Sequence, residues 1–260
     1  MATPTDLADL TALLSHAGFI AAEDEANELL ARAAGDVELL DSLVARRLTG
    51  EPLAWIIGTV SFCGLEIRVH PGVYVPRWQS EPLVRRAVER LPATGAAIDL
   101  CTGSGAIARI LATNRPGARV VASDTDERAV ACAAANGVEV YRGDLFSPLP
   151  SSFDGRVDVV IGVVPYVPTP DLPLLQRDTF AFESPLAYDG GPDGTDILRR
   201  VLRESPRLLR WGGALVLELG GDQADTLRDD LAVLGYVDVT VLVDDEGDVR
   251  GIEARLSGVD

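Results

Sequence analysis

The first fifty residues carry apolar side chains at helical spacing. Leucine, alanine and valine recur every three or four positions, and this period predicts amphipathic helices. A glycine follows each stretch, as is common just after a helix C-terminus. The predicted helices cover residues 5–15, 21–34 and 37–48, and the glycines are Gly18, Gly35 and Gly50. We therefore expect a small N-terminal helical domain over residues 1–52.

The pattern changes between residues 55 and 76. Apolar residues there alternate with the turn residues Gly58, Gly64, Pro71 and Gly72, which indicates a β-hairpin. We expect residues 53–78 to form a hairpin connector between two larger units.

From residue 96 onward, short apolar runs alternate with amphipathic stretches. This order predicts an α/β fold, with a mostly parallel sheet, an antiparallel last strand and helices on both faces. The predicted strands cover residues 96–100, 119–123, 138–142, 157–163, 213–219, 237–243 and 251–256, and the predicted helices cover 106–114, 127–136, 194–209 and 223–234. The proline-rich segment 168–193 is long for a loop and is expected to be functional. Residues 79–260 would form this second domain.

Composition and charge exclude several classes of partner. The chain has 260 residues, 47% of them hydrophobic, enough for a full core. No apolar run approaches the roughly 18 residues of a membrane span, and the N-terminal residues lack the pattern of a signal peptide. We expect a cytoplasmic protein without a membrane partner. The formal net charge of −17 opposes binding to a phosphate backbone, so no nucleic-acid partner is expected.

The residue types also limit the chemistry. All 23 basic residues are arginine, which excludes Schiff-base chemistry and the phosphate-binding Walker lysine. The two histidines are His16 and His70, and the three cysteines, Cys63, Cys101 and Cys132, lack CxxC spacing. We therefore expect no metal site.

The strongest motif runs from Asp99 to Gly105 (DLCTGSG), between a predicted strand and a predicted helix. Gly103 and Gly105 allow a tight turn and a close approach of backbone to ligand, and the next helix offers free N–H groups. The same glycines satisfy a Rossmann dinucleotide fingerprint, so they do not separate a nicotinamide cofactor from S-adenosylmethionine. Asp99 favours S-adenosylmethionine, because a carboxylate disfavours a pyrophosphate and suits an ammonium group.

Two more carboxylates follow predicted strands. Asp124 ends the second strand, where it could accept hydrogen bonds from ribose hydroxyls. Asp144 ends the third strand, where it could accept one from an adenine amino group. Each could instead be a helix cap or turn residue, but three successive strand ends favour a nucleoside site. The candidate cofactor-binding residues are Asp99, Cys101, Thr102, Gly103, Gly105, Asp124, Asp144, Leu145 and Val163.

From about residue 45 to the C-terminus the chain resembles the HemK/PrmC family. These are protein-(glutamine-N5) methyltransferases that modify the Gly-Gly-Gln motif of peptide release factors. The resemblance lies in residues 47–58 (RLTGEPLAWIIG), 62–77 (FCGLEIRVHPGVYVPR), 99–108 (DLCTGSGAIA), 189–196 (DGGPDGTD), 206–213 and 217–224 (LELGGDQA). It implies a class I, Rossmann-like methyltransferase, with S-adenosylmethionine held by Gly103, Gly105, Asp124 and Asp144. It also implies that the helical N-terminal unit helps to recognise the acceptor.

The chain departs from the family at two motifs. Family members have Asn-Pro-Pro-Tyr where this chain has Val163, Val164, Pro165 and Tyr166. The family's asparagine and the following carbonyl grip the amide nitrogen, and valine cannot form a hydrogen bond through its side chain. Trp78 and Gln79 replace the proline and glutamate of the family's Pro-Arg-Pro-Glu-Thr-Glu motif. Both changes predict a more apolar acceptor pocket. At Trp78 and Gln79 the alternative is ordinary sequence drift at a surface turn.

The candidate transfer site consists of Val163, Pro165 and Tyr166, and the candidate substrate contacts are Arg77, Trp78 and Tyr166. Three functional hypotheses remain open at this point. The chain methylates either a release-factor glutamine or a small molecule with a reactive nitrogen, oxygen or carbon. Alternatively, it is a non-catalytic cofactor-binding module, or a nicotinamide-dependent reductase. Its oligomeric state is open as well.

Overall fold

The computed structural model of the protein describes residues 6–175 and 182–258. Thr5, at the start of the first predicted helix, and residues 176–181 of the predicted long loop lie outside this part. Among the described residues, no helix has the length and apolar character needed to cross a membrane. In the same part of the chain, no group of three or more histidine, cysteine, aspartate or glutamate side chains is arranged to hold a metal ion.

The N-terminal helices are α1 (Leu7–His16), α2 (Ala22–Ala33), α3 (Val37–Leu48) and the short α4 (Leu53–Ile57). Aspartates cap two of them, because Asp6 accepts from the N–H of Asp9 and Asp36 from that of Leu39. Their apolar faces form a separate cluster that includes Leu10, Leu14, Leu29, Leu43, Val44 and Ile56. The predicted helices are therefore present, while the domain boundaries at residues 52 and 78 stay predictions.

The predicted hairpin is shorter than expected. Residues 53–57 form α4, and only β1 (Thr59–Phe62) and β2 (Leu65–Arg68) pair as antiparallel strands. The prediction was wrong for Trp55 and Ile56, which are buried on a helical turn that Gly58 ends with a φ of +93°. A run of three large apolar residues has no clear period, so burial against neighbouring elements decided its conformation.

A seven-stranded sheet forms the rest of the chain, in the order β5-β4-β3-β6-β7-β9-β8. Strands β3 to β7 are parallel, and the last strand, β9, runs antiparallel to both neighbours, as predicted. The strands are β3 (Ala96–Leu100), β4 (Arg119–Asp124), β5 (Glu139–Arg142), β6 (Val157–Gly162), β7 (Leu209–Glu218), β8 (Tyr236–Val243) and β9 (Val249–Leu256). Strands β3 and β6 are adjacent in space but not in sequence, so the loops after them diverge and leave a crevice.

The helices that flank the sheet differ from prediction at three places. They are α5 (Glu81–Arg90), α6 (Ala106–Asn114), α7 (Glu127–Ala135), α8 (Asp196–Glu204), α9 (Gln223–Thr226) and α10 (Arg228–Val233). Helix α8 ends five residues before the predicted 209, because Pro206 has no backbone N–H to continue the helical hydrogen bonds, and a 3-10 turn at Ser205–Arg207 follows. The predicted helix 223–234 is interrupted at Leu227. Helix α5 was not predicted, although Leu83, Val84 and Ala87 repeat at helical spacing and are buried.

Candidate active site

A cavity of about 510 Å³ opens at the carboxyl ends of β3, β4 and β6. Three loops that follow these strands line it, together with residues 72–77 before α5 and residues 184–188 of the long loop. Of the predicted site residues, the structure brings nine to the lining: Arg77, Asp99, Cys101, Thr102, Gly103, Asp124, Val163, Pro165 and Tyr166. This edge of a parallel sheet is where open α/β folds bind their ligands.

The loop after β3 turns sharply at the two predicted glycines. Gly103 and Gly105 have φ values of +56° and +79°, and Cys101 also has a positive φ of +52°. The N–H of Gly103 donates to Oδ2 of Asp124 at 2.9 Å, so the turn is tied to the end of β4. A positive φ is costly for a cysteine, and such strained positions cluster at functional sites.

Asp99 lies at the base of the cavity with 1% of its surface exposed. Its Oδ2 accepts from the Thr102 hydroxyl at 2.5 Å and from the N–H of Ala108 at 3.1 Å. Its Oδ1 is buried and has no hydrogen-bond partner among the described residues. Burial raises the pKa of Asp99 to about 7, the charge of Asp124 adds to the rise, and the two hydrogen bonds oppose it. A buried carboxylate oxygen without a donor favours a cationic ligand.

Asp124 adds a second carboxylate to the same wall. Its Oδ1 accepts from the N–H of Asp126 at 2.9 Å, while Oδ2 holds Gly103. Burial raises the pKa of Asp124, and these backbone hydrogen bonds oppose the rise. Each oxygen keeps a lone pair beyond its backbone bond, so the side chain can still accept from a ligand.

Four predicted site residues lie outside the cavity lining: Gly105, Asp144, Leu145 and Trp78. Asp144 instead forms an ion pair with Arg200 of α8, with a 2.7 Å distance between carboxylate oxygen and guanidinium nitrogen. Leu145 is buried in the largest hydrophobic cluster, which includes residues of β3, β6 and β7. Trp78 is 68% exposed. These four residues therefore do not line the cavity, although the charge of Asp144 is close enough to raise the pKa of the Cys101 thiol, whose largest cause is burial.

Gly105 has a packing reason for being glycine. A Cβ atom there would lie 2.9 Å from both Cα and Cβ of Ala133 in α7. Such a distance is below van der Waals contact, so the turn and α7 could not keep their present separation. The absence of a side chain thus lets the glycine turn pack directly against α7.

The end of β6 presents an apolar wall. Val163, Val164 and Pro165 all line the cavity, and none has a side-chain donor or acceptor. Tyr166 follows them and donates from its hydroxyl to Oε1 of Glu218 at 2.9 Å. The Ser80 hydroxyl donates to Oε2 of the same carboxylate at 2.5 Å. The buried Glu218 thus holds the Tyr166 ring against the cavity.

Glu183 connects the long loop to the segment before α5, and both line the cavity. Its Oε1 accepts from the N–H of Val75 at 2.9 Å, and its Oε2 accepts from Arg77 at 2.7 Å. The Tyr188 hydroxyl donates to the same Oε2. The Tyr188 ring also lies 5.6 Å, centroid to centroid, from the ring of Tyr74. One buried carboxylate therefore joins residues 75–77 to the loop at 183–188.

Sequence reasoning missed Tyr74, Glu183, Tyr188 and Glu218 as site residues. The sequence contained a signal for Glu218 but none for Glu183. Glu218 lies inside an apolar strand, where a charged residue needs an explanation, but Glu183 lies in a segment without any period. Their partners are 106 and 138 residues away along the chain, so only folding brings them together.

Comparison with known proteins agrees with this geometry. Residues 65–163 match a family model described as the methyltransferase small domain. A release factor glutamine methyltransferase from Geobacter sulfurreducens is 39% identical over 220 residues, which cover 82% of this chain and 76% of that protein. One from Pseudomonas aeruginosa is 40% identical over 222 residues, which cover 82% and 79%.

A solved structure shows the same fold. It is a 16S rRNA methyltransferase from T. thermophilus in complex with AdoMet and guanosine. Its TM-score is 0.51 at 18% identity, and the match covers 77% of this chain and 44% of that chain.

The parallel sheet with its antiparallel last strand, the glycine turn after β3 and the matching family model define the chain as a methyltransferase. With two curated relatives at 39% and 40% identity over 82% of its length, it belongs to the release factor glutamine methyltransferase family. The resemblance to the HemK/PrmC family is thereby confirmed. The relatives do not favour a small-molecule methyltransferase or a non-catalytic module.

Proposed function

We propose that the cavity binds S-adenosylmethionine and that the protein methylates the side-chain amide of a glutamine in a peptide release factor. The observation that carries the first part is the buried, unpartnered Oδ1 of Asp99 at the base of the cavity. The second part rests on the names of the relatives, which act on release factors.

The residues present fit this cofactor. Asp99 and Asp124 supply negative charge for a cationic ligand, with Asp99 placed to bind an ammonium group and Asp124 to accept from ribose hydroxyls. The turn at Cys101, Thr102 and Gly103 brings backbone close to the ligand. When bound, S-adenosylmethionine supplies a methyl group on a positively charged sulfur.

The acceptor half of the cavity positions the substrate and excludes water. Val163 and Pro165 form an apolar wall, and Tyr166 is held against it by Glu218. Placing two reacting atoms about 3 to 3.5 Å apart and in line accounts for much of the rate of such a transfer. We propose that these residues set this placement. The amide nitrogen would gain the methyl group and lose one proton to solvent, and S-adenosylhomocysteine would remain as the leaving group.

We assign supporting roles to the predicted residues outside the lining. Gly105 keeps the glycine turn after β3 against α7. The ion pair of Asp144 with Arg200 connects the chain after β5 to α8, and Leu145 anchors the same segment in the hydrophobic core. Trp78 is largely exposed and follows the cavity residue Arg77, so we propose that it contacts the surface of the acceptor protein. A cytoplasmic location remains a prediction.

The test combines cofactor binding with methyl transfer. The purified protein is titrated with S-adenosylhomocysteine in a calorimeter, then incubated with S-adenosylmethionine and an intact release factor. Mass spectrometry should find a gain of one methyl group on the glutamine of the Gly-Gly-Gln motif. A release factor with leucine in place of that glutamine serves as the control and should gain none. Absence of binding would overturn the cofactor assignment. Binding without modification of the glutamine would overturn the acceptor assignment alone.

A further inference from the structure

The acceptor end of the cavity contains several polar side chains whose donors are already used. Tyr166 and Ser80 both donate to Glu218, and Tyr188 donates to Glu183. Arg77 donates to Glu183 through Nη2. These bonds hold the walls together. They use the hydroxyl protons of Tyr166, Ser80 and Tyr188, while Arg77 keeps N–H groups other than those of Nη2.

Tyr74 differs from the hydroxyl groups of Tyr166, Ser80 and Tyr188. Its half-buried phenol lines the cavity, and within residues 6–175 and 182–258 the structure shows no protein acceptor for its hydroxyl proton. The Arg77 guanidinium lies 5.4 Å from the centroid of the Tyr74 ring. A guanidinium can only donate, so any hydrogen bond between the two runs toward the phenolic oxygen and leaves the phenolic proton available.

Tyr74 also lies between the two halves of the cavity. Its Cβ and its carbonyl oxygen are each 3.8 Å from the position that a Cβ on Gly103 would occupy. The backbone of Tyr74 therefore lies against the glycine turn after β3. Its ring packs beside Tyr188 at the acceptor end. Burial raises the pKa of Tyr74 well above its ordinary value, and the nearby charges of Glu218 and Glu183 add to the rise. The phenol therefore keeps its proton at neutral pH.

The acceptor amide needs a hydrogen-bond donor for its oxygen, and the side chains that follow β6 do not supply one. The side chains of Val163, Val164 and Pro165 offer none, and an amide buried without hydrogen bonds pays a desolvation cost. We propose that the hydroxyl of Tyr74 donates a hydrogen bond to the oxygen of the acceptor's side-chain amide and so sets the direction of its nitrogen. This inference rests on the proposed function and makes Tyr74 a specificity-determining residue for an amide-bearing side chain.

The first experiment removes only the hydroxyl. In Tyr74→Phe, kcat/KM for an intact release factor should fall about 10- to 100-fold, as expected for one lost hydrogen bond to a buried substrate group. Affinity for S-adenosylhomocysteine and the melting temperature should not change. The matched control is Tyr141→Phe on the edge strand β5, outside the cavity, and it should retain full activity. An unchanged kcat/KM in Tyr74→Phe would overturn the proposal.

A second experiment does not depend on turnover. The wild-type protein loaded with S-adenosylhomocysteine should bind a release factor with its native glutamine about tenfold more tightly than one with leucine there. In Tyr74→Phe that preference should fall to about twofold or less. The reverse result, a preference that survives the loss of the hydroxyl, would contradict the proposal. A wild-type protein that neither binds nor methylates the native release factor would instead overturn the proposed function.

Discussion

The carboxylate of Asp99 accepts a hydrogen bond from the Thr102 hydroxyl at 2.5 Å through Oδ2, while its Oδ1 is buried without a hydrogen-bond partner among the described residues. The residue pair thus fixes one carboxylate oxygen and leaves the other for a ligand. Since burial raises the pKa of Asp99 to about 7, its charge changes within the range of pH at which the protein can be studied.

Cofactor affinity should therefore depend on pH. Below pH 7 the free protein carries a protonated Asp99, and a ligand whose ammonium group pairs with this carboxylate must displace the proton to bind. The Kd for S-adenosylhomocysteine should rise about tenfold for each pH unit below 7 and level off above it. Calorimetry between pH 5.5 and 8 measures this.

The control for the pH dependence is Asp99→Asn, which has nearly the same shape and no titrating proton. It should bind more weakly than the wild type at pH 8, with little change across the range. A wild-type Kd that stays constant from pH 5.5 to 8 would show that Asp99 does not pair with the ligand's charge.

Replacing Gly105 by alanine should destabilise the fold strongly. The new Cβ would lie 2.9 Å from Ala133, and the residue would keep a φ of +79°. Left-handed backbone costs about 1 kcal/mol and overpacking about 1 to 3 kcal/mol more. Urea unfolding should show a loss of about 2 to 4 kcal/mol in the free energy of unfolding.

Gly64→Ala is the matched control, because Gly64 has a φ of +76° and nothing within 4 Å of its missing Cβ. It should cost only about 1 kcal/mol, the backbone part alone. Equal losses in the two variants would contradict the packing argument for Gly105.

Replacing Glu183 by glutamine should weaken acceptor binding more than cofactor binding. The change removes the buried charge that holds Arg77, and a hydrogen bond to a charged group contributes about 1.5 to 3 kcal/mol. The loop at 183–188 should then pack less tightly against the acceptor half of the cavity. We expect KM for the release factor to rise at least tenfold, with less than a twofold change in the Kd of S-adenosylhomocysteine.

Glu66→Gln, an exposed position on β2, is the control and should leave both constants unchanged. If Glu183→Gln raised the Kd of the cofactor as much as the KM of the acceptor, the carboxylate would be supporting the whole cavity rather than its acceptor wall.

Replacing Val163 by asparagine should have little effect on methyl transfer to the release factor. Val163 lines the acceptor wall, and an amide there would add a polar group beside an amide that Tyr74 already orients. We expect kcat/KM for the release factor to change less than about threefold, measured by methyl transfer. A gain of tenfold or more would show that the valine limits the reaction.

Much of the architecture was predictable because it depends on local patterns. The order of strands and helices from residue 96 onward, the antiparallel last strand and the glycine turn follow from hydrophobic period and from residues that favour turns. Where the apolar run has no period, as at Trp55 and Ile56, the prediction was wrong. Pro206, which has no backbone N–H to donate, ended α8 at Glu204, earlier than the pattern suggested.

The same distinction between local patterns and tertiary contacts applies to the residues of the candidate site. Asp99, Gly103 and Asp124 were predictable, because the carboxyl ends of neighbouring parallel strands must meet at one edge of the sheet. Asp144 obeys the same rule but pairs with Arg200 on a helix 56 residues later, which no local pattern reveals.

The sequence by itself determined the class of fold, the family and the acidic, glycine-rich half of the site, since these depend on residues close together in the chain. Only the tertiary structure decided the acceptor half. Glu183, Glu218 and Tyr74 contact Arg77, Ser80 and Tyr188, respectively. Each partner lies more than 100 residues away in the sequence, so only folding brings the two side chains together.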